Sequence, residues 1–295
     1  MIGLGIMGSA MSANLMQAGY RVIGYDVVSA RRRDHGRAGG QIASACRAVA
    51  RRTDVIICSL PSSEALLQTA AALGESRSPL LVIETSTLPI AVKEEARTRL
   101  SARGVVLLDC PLSGTGAQAR TRDLVVYASG NRRAYRRVVP VLEAFARAHY
   151  YVGRFGTGSK MKFVANLLVA VHNVAAAEAL VLAMKAGLDP EIVVKVIGDG
   201  AGSSRMFQVR GPMMAKGDYS AATMTLGVWQ KDMRIIADFA REVACPTPLF
   251  AASAPVYTAA LAMGDPGLDT AAVCAVLERM AGGVRKSLKV KGQSL

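Results

Sequence analysis

Three stretches of this 295-residue chain combine residue types and spacings that could do chemistry. The first is Gly3-Leu4-Gly5-Ile6-Met7-Gly8, a GxGxxG run, with an acid, Asp26, 18 residues beyond Gly8 at the end of a β-rich segment. In such a layout the first glycine permits a tight turn and the second lets backbone approach a pyrophosphate. The third lets helix and strand pack closely. A helix opening there aims unpaired N–H groups and partial positive charge at phosphate oxygens. Asp26 suits the ribose hydroxyls of an adenosine and repels a 2′-phosphate, which predicts NAD over NADP. Arg31, Arg32 and Arg33 pull the other way, but they lie a turn or more beyond the strand end.

The second stretch is Asp109-Cys110-Pro111-Leu112-Ser113-Gly114-Thr115-Gly116-Ala117, directly after an apolar run. A serine and glycines with open backbone N–H groups at a strand end suit a carboxylate. A bare connection between elements is the plain alternative. The third stretch is an alanine-rich apolar helix opening at Ser159. At about 100° per residue, Lys162, Asn166 and Asn173 fall on one stripe with small Ala170 and Ala177, while Lys160 and Glu178 fall opposite. A lysine and two amides on one face should converge on something polar. The plain alternative for Lys162 is a helix-start lysine snorkelling to water.

The elements that must position these residues alternate in the first half. Strand-like runs at 21–26, 54–60, 80–84, 105–109, 123–129 and 149–152 are separated by helix-like runs at 8–18, 62–73, 90–103 and 132–146. That alternation predicts βαβ units and a mostly parallel sheet. Beyond residue 158 only helical patterns are evident, ending in a polar tail at 286–295. Asp189-Pro190 stops one helix and caps the next. The predicted fold is an α/β dinucleotide-binding domain over residues 1–155 and an all-α domain over 156–295. Only Met1 and Ile2 precede Gly3, so the central strand is nearly missing. The expectation is a start further upstream, or a domain weakened where the cofactor sits.

Composition narrows the classes. With 51% hydrophobic and 20% charged residues, the chain buries a sizeable core and is not disordered. The most apolar stretch, 167–184, carries His172, Asn173 and Glu178, which argues against a membrane span. There is no secretory-signal pattern at the start. Five dispersed cysteines without a CxxC pair read as buried thiols of a reducing, cytoplasmic setting and give no metal site. The net charge of +14 includes clusters at 31–33 and 132–137, without interleaved aromatics or a nucleic-acid motif. They read as solvated helix faces, so no nucleic-acid partner is expected.

Taken in order, these stretches resemble the β-hydroxyacid dehydrogenase family over nearly the whole chain. Gly3 to Gly8 with Met11, Asn14 and Leu15 is similar to the family's cofactor signature, and Asp109 to Gly114 to its substrate loop. Gly156-Thr157-Gly158 leading to Lys162 and Asn166 is similar to its catalytic segment, and Lys231-Asp232 to its late Lys-Asp pair. The resemblance implies Lys162 as acid/base with Asn166 as its orienting partner. It implies Ser113, Gly114 and the neighbouring Thr115 at a small carboxylate substrate. It also implies Gly3, Gly5, Ile6, Met7, Gly8, Asp26, Leu60, Pro61, Thr87 and Lys231 at the cofactor. Three positions depart from the family pattern. Thr115 and Arg122 stand where glycines are usual, and Ala165 stands where an asparagine often precedes Asn166. A homo-oligomer, dimer or tetramer, is expected from the apolar helical half. The competing readings are an imine reductase-like enzyme, which Lys162 argues against, and a non-catalytic nucleotide-binding module.

Overall fold

The computed structural model describes residues 1–74 and 80–283, so the tail at 286–295 lies outside the described residues. The chain divides into two compact units, Met1–Ala165 and Asn166–Leu295.

The first unit carries strands β1 (Ile23–Gly24), β2 (Gln41–Ile42), β3 (Val55–Cys58), β4 (Leu80–Glu84), β5 (Val105–Asp109), β6 (Leu112–Ser113), β7 (Val125–Ala128) and β8 (Ala148–Tyr151). Between them lie α1 (Ile6–Gln17), α2 (Ser29–Arg37), α3 (Cys46–Ala50), α4 (Ser63–Gly74), α5 (Ile90–Ser101), α6 (Gly116–Arg120) and α7 (Arg132–Phe145). Strands β3, β4 and β5 pair in parallel, as do β1 and β2. The two groups meet at Ile2, which bridges Tyr25 on one side and Cys58 on the other. Its N–H donates to Ile57 O at 2.8 Å, and Gly3 N–H donates to Tyr25 O at 2.9 Å. Residues 1–3 therefore fill the central strand position, and the glycine turn leaves from its carboxyl end, where ligands bind in open α/β sheets. At the turn Ile2 is thus bonded to a strand on either side. The Met1 amine donates to Ile23 O at 2.7 Å, and burial pulls its pKa down to about 6.

Side chains alternate across this sheet between two cores. Ile57, Leu81, Ile83 and Leu108 pack with Met11, Leu142 and Phe145 on the face of α1 and α7. Ile56, Val82, Val105 and Leu107 pack with Leu66, Ala96 and Leu100 on the face of α4 and α5. Helices on both faces explain why β4 and β5 read as continuous apolar runs. Past Asp109 the chain breaks at Cys110-Pro111 and resumes as β6, antiparallel to β7, with Asp109 bridging Ser129. Strand β8 lies parallel to β7.

The second unit is helical among its described residues, apart from an isolated Thr225–Asp269 bridge. It holds most of α8 (Thr157–Lys185), then α9 (Pro190–Gly198), α10 (Arg205–Lys216), α11 (Leu226–Glu242), α12 (Pro248–Ala262), a 3-10 turn (Thr270–Ala272) and α13 (Val273–Met280). Asp189 caps α9 by accepting from Glu191 N–H at 2.8 Å, as the Asp-Pro pair predicts. Asp269 is fully buried against Arg210 at 3.2 Å and accepts from the N–H groups of Thr223, Met224 and Ala271. The division between units falls inside α8, ten residues past the boundary read from sequence, because a helix that opens in one unit runs on into the other.

Two readings need correction. By length and composition alone α8 is apolar enough to cross a membrane, contrary to the sequence reading; 44% of that window is buried. Its polar Asn173 donates to Tyr257 Oη at 3.0 Å and Thr270 O at 2.9 Å, so this amide ties α8 to α12 and the 3-10 turn. All five cysteines are free thiols, but Cys245 is exposed, contrary to the expectation of burial. Burial pushes the Cys58 and Cys110 thiols well above their usual range.

Candidate active site

The glycines of the turn divide their work as the spacing predicts. Gly3 has φ +88°, and a Cβ there would lie 2.1 Å from Ser59 O. A Cβ on Gly8 would lie 1.9 Å from Gly3 O, so this glycine allows α1 to pack against the turn. Gly5 is different. It is the N-cap of α1 without any side-chain cap, and a Cβ on it would meet only Arg31 Nη1, at 4.0 Å. The helix end is thus open above Gly5, with Ile6 exposed and Met7 half-buried beside it. Open space over uncapped N–H groups is the cradle that a pyrophosphate needs.

Asp26 is 5% exposed and has a second task that the sequence did not show. Its carboxylate accepts from Leu4 N–H at 2.7 Å and Val28 N–H at 2.8 Å, so it braces the glycine turn. Arg31 pairs with it at 3.4 Å. A carboxylate has about four lone-pair sites, which leaves room for a ribose hydroxyl. Asn14, from the same signature, is buried and donates to Ala119 O at 2.7 Å, joining α1 to α6.

Leu60 and Pro61 follow β3, and Leu60 N–H donates to Ser86 Oγ at 2.8 Å. Thr87 is the next residue along that segment and is half-buried. Beyond β5, Ser113 pairs with Val125 in the ladder. Gly114 has φ +132°, and a Cβ there would press Leu124 at 2.7 Å. Thr115 caps α6 through a reciprocal box with Gln118, so its hydroxyl is engaged in starting a helix. Arg122, at a position where the resemblance implies glycine, takes φ +60° and donates to Glu143 O at 2.9 Å.

Lys162 is 9% exposed, whereas Lys160, two residues earlier on α8, is exposed. Asn166 begins the next unit, 3% exposed, and donates to Asp232 Oδ2 at 3.0 Å. Lys231 pairs with Asp232 Oδ1 at 3.0 Å. Asp232 therefore gathers Asn166 and Lys231, two of the residues singled out in sequence. The sequence noted Asp232 only as Lys231's neighbour.

A further group was missed apart from Asp109, which was read as the start of the substrate loop. Lys93 on α5 is fully buried and pairs with Glu84 at 2.6 Å and Asp109 at 2.8 Å, both fully buried at the ends of β4 and β5. Burial pulls the Lys93 pKa down, but the Asp109 and Glu84 carboxylates outweigh it and hold it above the ordinary lysine value. Asp109 also accepts from Ser159 N–H and Ser159 Oγ, each at 2.8 Å, in the first turn of α8.

Residues 1–153 match the NAD binding domain of 6-phosphogluconate dehydrogenase, and residues 156–277 match the NAD-binding domain of NADP-dependent 3-hydroxyisobutyrate dehydrogenase. L-threonate dehydrogenase of Cupriavidus necator is 34% identical over 277 residues, covering 92% of this chain and 93% of that protein. The crystal structure of 3-hydroxyisobutyrate dehydrogenase from Salmonella typhimurium superposes with a TM-score of 0.84 at 29% identity, over 93% of this chain and 98% of that one. The 3-hydroxyisobutyrate dehydrogenase of Mycobacterium tuberculosis gives 0.83 at 29% identity, over 94% and 97%. With an open glycine cradle in one unit and near-full-length likeness to these enzymes, the chain belongs to the β-hydroxyacid dehydrogenase family and is a hydroxyacid dehydrogenase of the NAD(P)-dependent kind.

Proposed function

We propose that the enzyme moves a hydride between NAD and a small β-hydroxy acid or its semialdehyde, with Lys162 as general acid/base. The observation that carries the reading is the contrast on one helix turn, where Lys162 is 9% exposed and Lys160 is exposed. A buried lysine in the segment that resembles the family's catalytic one supports a proton-transfer role and is poorly explained as a snorkelling surface lysine.

The dinucleotide fits the first unit: Gly5 leaves the helix end open, Gly3 and Gly8 shape the turn, and Asp26 keeps acceptor capacity for ribose. When bound, it supplies the hydride carrier. The chain supplies the rest. Neutral Lys162 takes the hydroxyl proton in oxidation, and its ammonium returns that proton to the carbonyl oxygen in reduction. Ser113 and the backbone of Gly114 hold the substrate carboxylate through neutral donors. Asp26 favours NAD, since a 2′-phosphate would meet its charge. Self-association as a dimer or tetramer fits the exposed Leu182, Ile192 and Val196, at 71%, 61% and 62%.

The test is a panel of L-threonate, 3-hydroxyisobutyrate, glycerate and short ω-hydroxy acids, each with NAD and NADP, read by coenzyme absorbance. An acid should turn over with NAD preferred, and its uncharged amide analogue should fail. Clear NADP preference defeats the Asp26 reading, and equal turnover of acid and amide defeats the carboxylate site.

A further inference from the structure

The buried ion cluster beneath α8 has no place in the chemistry described so far. Its two carboxylates each reach further into the unit. Glu84 Oε1 accepts from Ser86 N–H at 2.8 Å, and Ser86 Oγ accepts from Leu60 N–H at 2.8 Å. Asp109 holds Ser159 by two bonds of 2.8 Å and accepts from Ser129 Oγ at 3.1 Å. Ser129 Oγ accepts in turn from Gly158 N–H at 3.0 Å. Lys93 stands between these arms, bonded to both acids.

We propose that Lys93 is a positioning residue: by clamping Glu84 to Asp109 it fixes the Lys162-bearing first turns of α8 relative to the coenzyme-side segment of Leu60 and Ser86. The inference rests on the Lys162 reading above. Lys162 lies three residues past Ser159, less than one helical turn, so a shift or rotation of the anchored start carries directly to it. Without Lys93, two fully buried carboxylates face each other across the strand ends and must separate or take up a proton. Stability alone is a weak reason for such a cluster, because a buried ion group is often no more stabilising than apolar residues of similar volume. Ala96 and Leu100 show that the same stripe of α5 accepts apolar side chains.

The test uses the full chain and two lesions. Lys93→Met combined with Glu84→Gln removes the clamp without stranding two charges. Ser159→Ala removes the hydroxyl's bond to Asp109 at the helix start and leaves the backbone N–H bond and the ion cluster intact. Both should bind NAD normally and keep KM for the hydroxy acid within about twofold; kcat should fall roughly 10- to 100-fold in the double variant, as small misplacements do, and by a smaller but measurable factor in Ser159→Ala, which loosens the helix start without freeing it. The isotope effect from deuterium at the carbinol carbon should rise as chemistry becomes limiting. A lowered Tm with unchanged kcat and isotope effect in the folded variants overturns the proposal, since that is a structural role only. If the double variant does not fold, Ser159→Ala decides by the same criteria. Lys162→Met run in parallel separates the two readings. Inactivity there with normal kcat in the other variants defeats the Lys93 role alone, and near-normal turnover of Lys162→Met defeats both.

Discussion

The Asn166 amide donates to the Asp232 carboxylate at 3.0 Å across 66 residues of sequence. That bond fixes which way the amide points: Nδ2 faces Asp232, and the carbonyl oxygen faces away. Asp232 also holds Lys231, so one buried acid orients both a residue read as the acid/base's partner and one read as the nicotinamide's neighbour.

Removing that acceptor should therefore be felt in stability. Asp232→Ala leaves the buried Asn166 donor without its partner, at a cost of about 1–3 kcal/mol. Asp232→Asn keeps an acceptor oxygen and should lose less. Denaturant unfolding of both variants checks this, and equal stability of the alanine and asparagine forms would show that the bond contributes nothing.

The glycine turn makes a paired prediction. Gly8→Ala places a methyl 1.9 Å from Gly3 O and should cost about 3 kcal/mol or more, with coenzyme binding lost as the turn deforms. Gly5→Ala meets only Arg31 at 4.0 Å and keeps an ordinary φ of −69°, so it should cost about 1 kcal/mol or less. Its methyl projects into the open cradle and should weaken NAD binding at least roughly tenfold, since close backbone approach to the pyrophosphate is lost. Calorimetric titration and thermal unfolding separate the two effects. Unimpaired NAD binding by Gly5→Ala would move the pyrophosphate elsewhere.

Much of this frame was legible in the sequence, and the misses have physical causes. Strands β4 and β5 run over the residues that the apolar runs suggested, because burial on both faces writes itself as unbroken hydrophobicity. Strands β2 and β6 are two residues each, and α6 is five, too short for a period to show. Helix α10 contains Gly211 and Pro212, residues that weaken a helical pattern in sequence. Lys93 was hidden among the charges of α5, yet it shares the buried stripe of Ala96 and Leu100 at i, i+3 and i+7. A lysine in register with an apolar stripe was the available signal. Asp26 and Asp232 were visible as residues, but their bracing bonds depend on tertiary approach that spacing does not encode.

His35 gives a pH dependence with a definite sign. It is buried at 6% exposure, its Nδ1 lies 3.2 Å from Ser12 Oγ, and its ring sits where a Cβ on Gly24 or Gly40 would be. Burial lowers its pKa below the ordinary 6.5, against the opposing pull of hydrogen bonds to the backbone of Val22 and Gln41. Between the folded value and 6.5 the unfolded chain binds more protons, so stability rises with pH. The His35 contribution is fully present above 6.5 and is lost as pH falls through the lowered folded value. Unfolding followed against pH should show this slope in the wild type and a flatter one in His35→Gln, whatever its absolute Tm. Identical slopes would assign the acid sensitivity to other groups.

The sharpest prediction concerns the two lysines of α8. Both changes, Lys162→Met and Lys160→Met, remove one positive charge from the same stretch of helix and put in a residue that helices accept. They differ in burial, since Lys162 is 9% exposed and Lys160 is exposed. If Lys162 carries the proton, its loss should lower turnover by roughly 10²- to 10⁴-fold, or about 3–5 kcal/mol of barrier. NAD should still bind, because the proposed nucleotide site is the open end of α1 with Asp26, in which Lys162 has no part. Lys160→Met should leave turnover within about twofold, since an exposed charge on the opposite face meets neither substrate nor coenzyme. Steady-state kinetics on both variants, with coenzyme titration to show that each is folded and loaded, decides the matter. Equal damage from the two changes would mean that the charge of the helix start matters and the position does not. Near-normal turnover of Lys162→Met would mean that another group moves the proton.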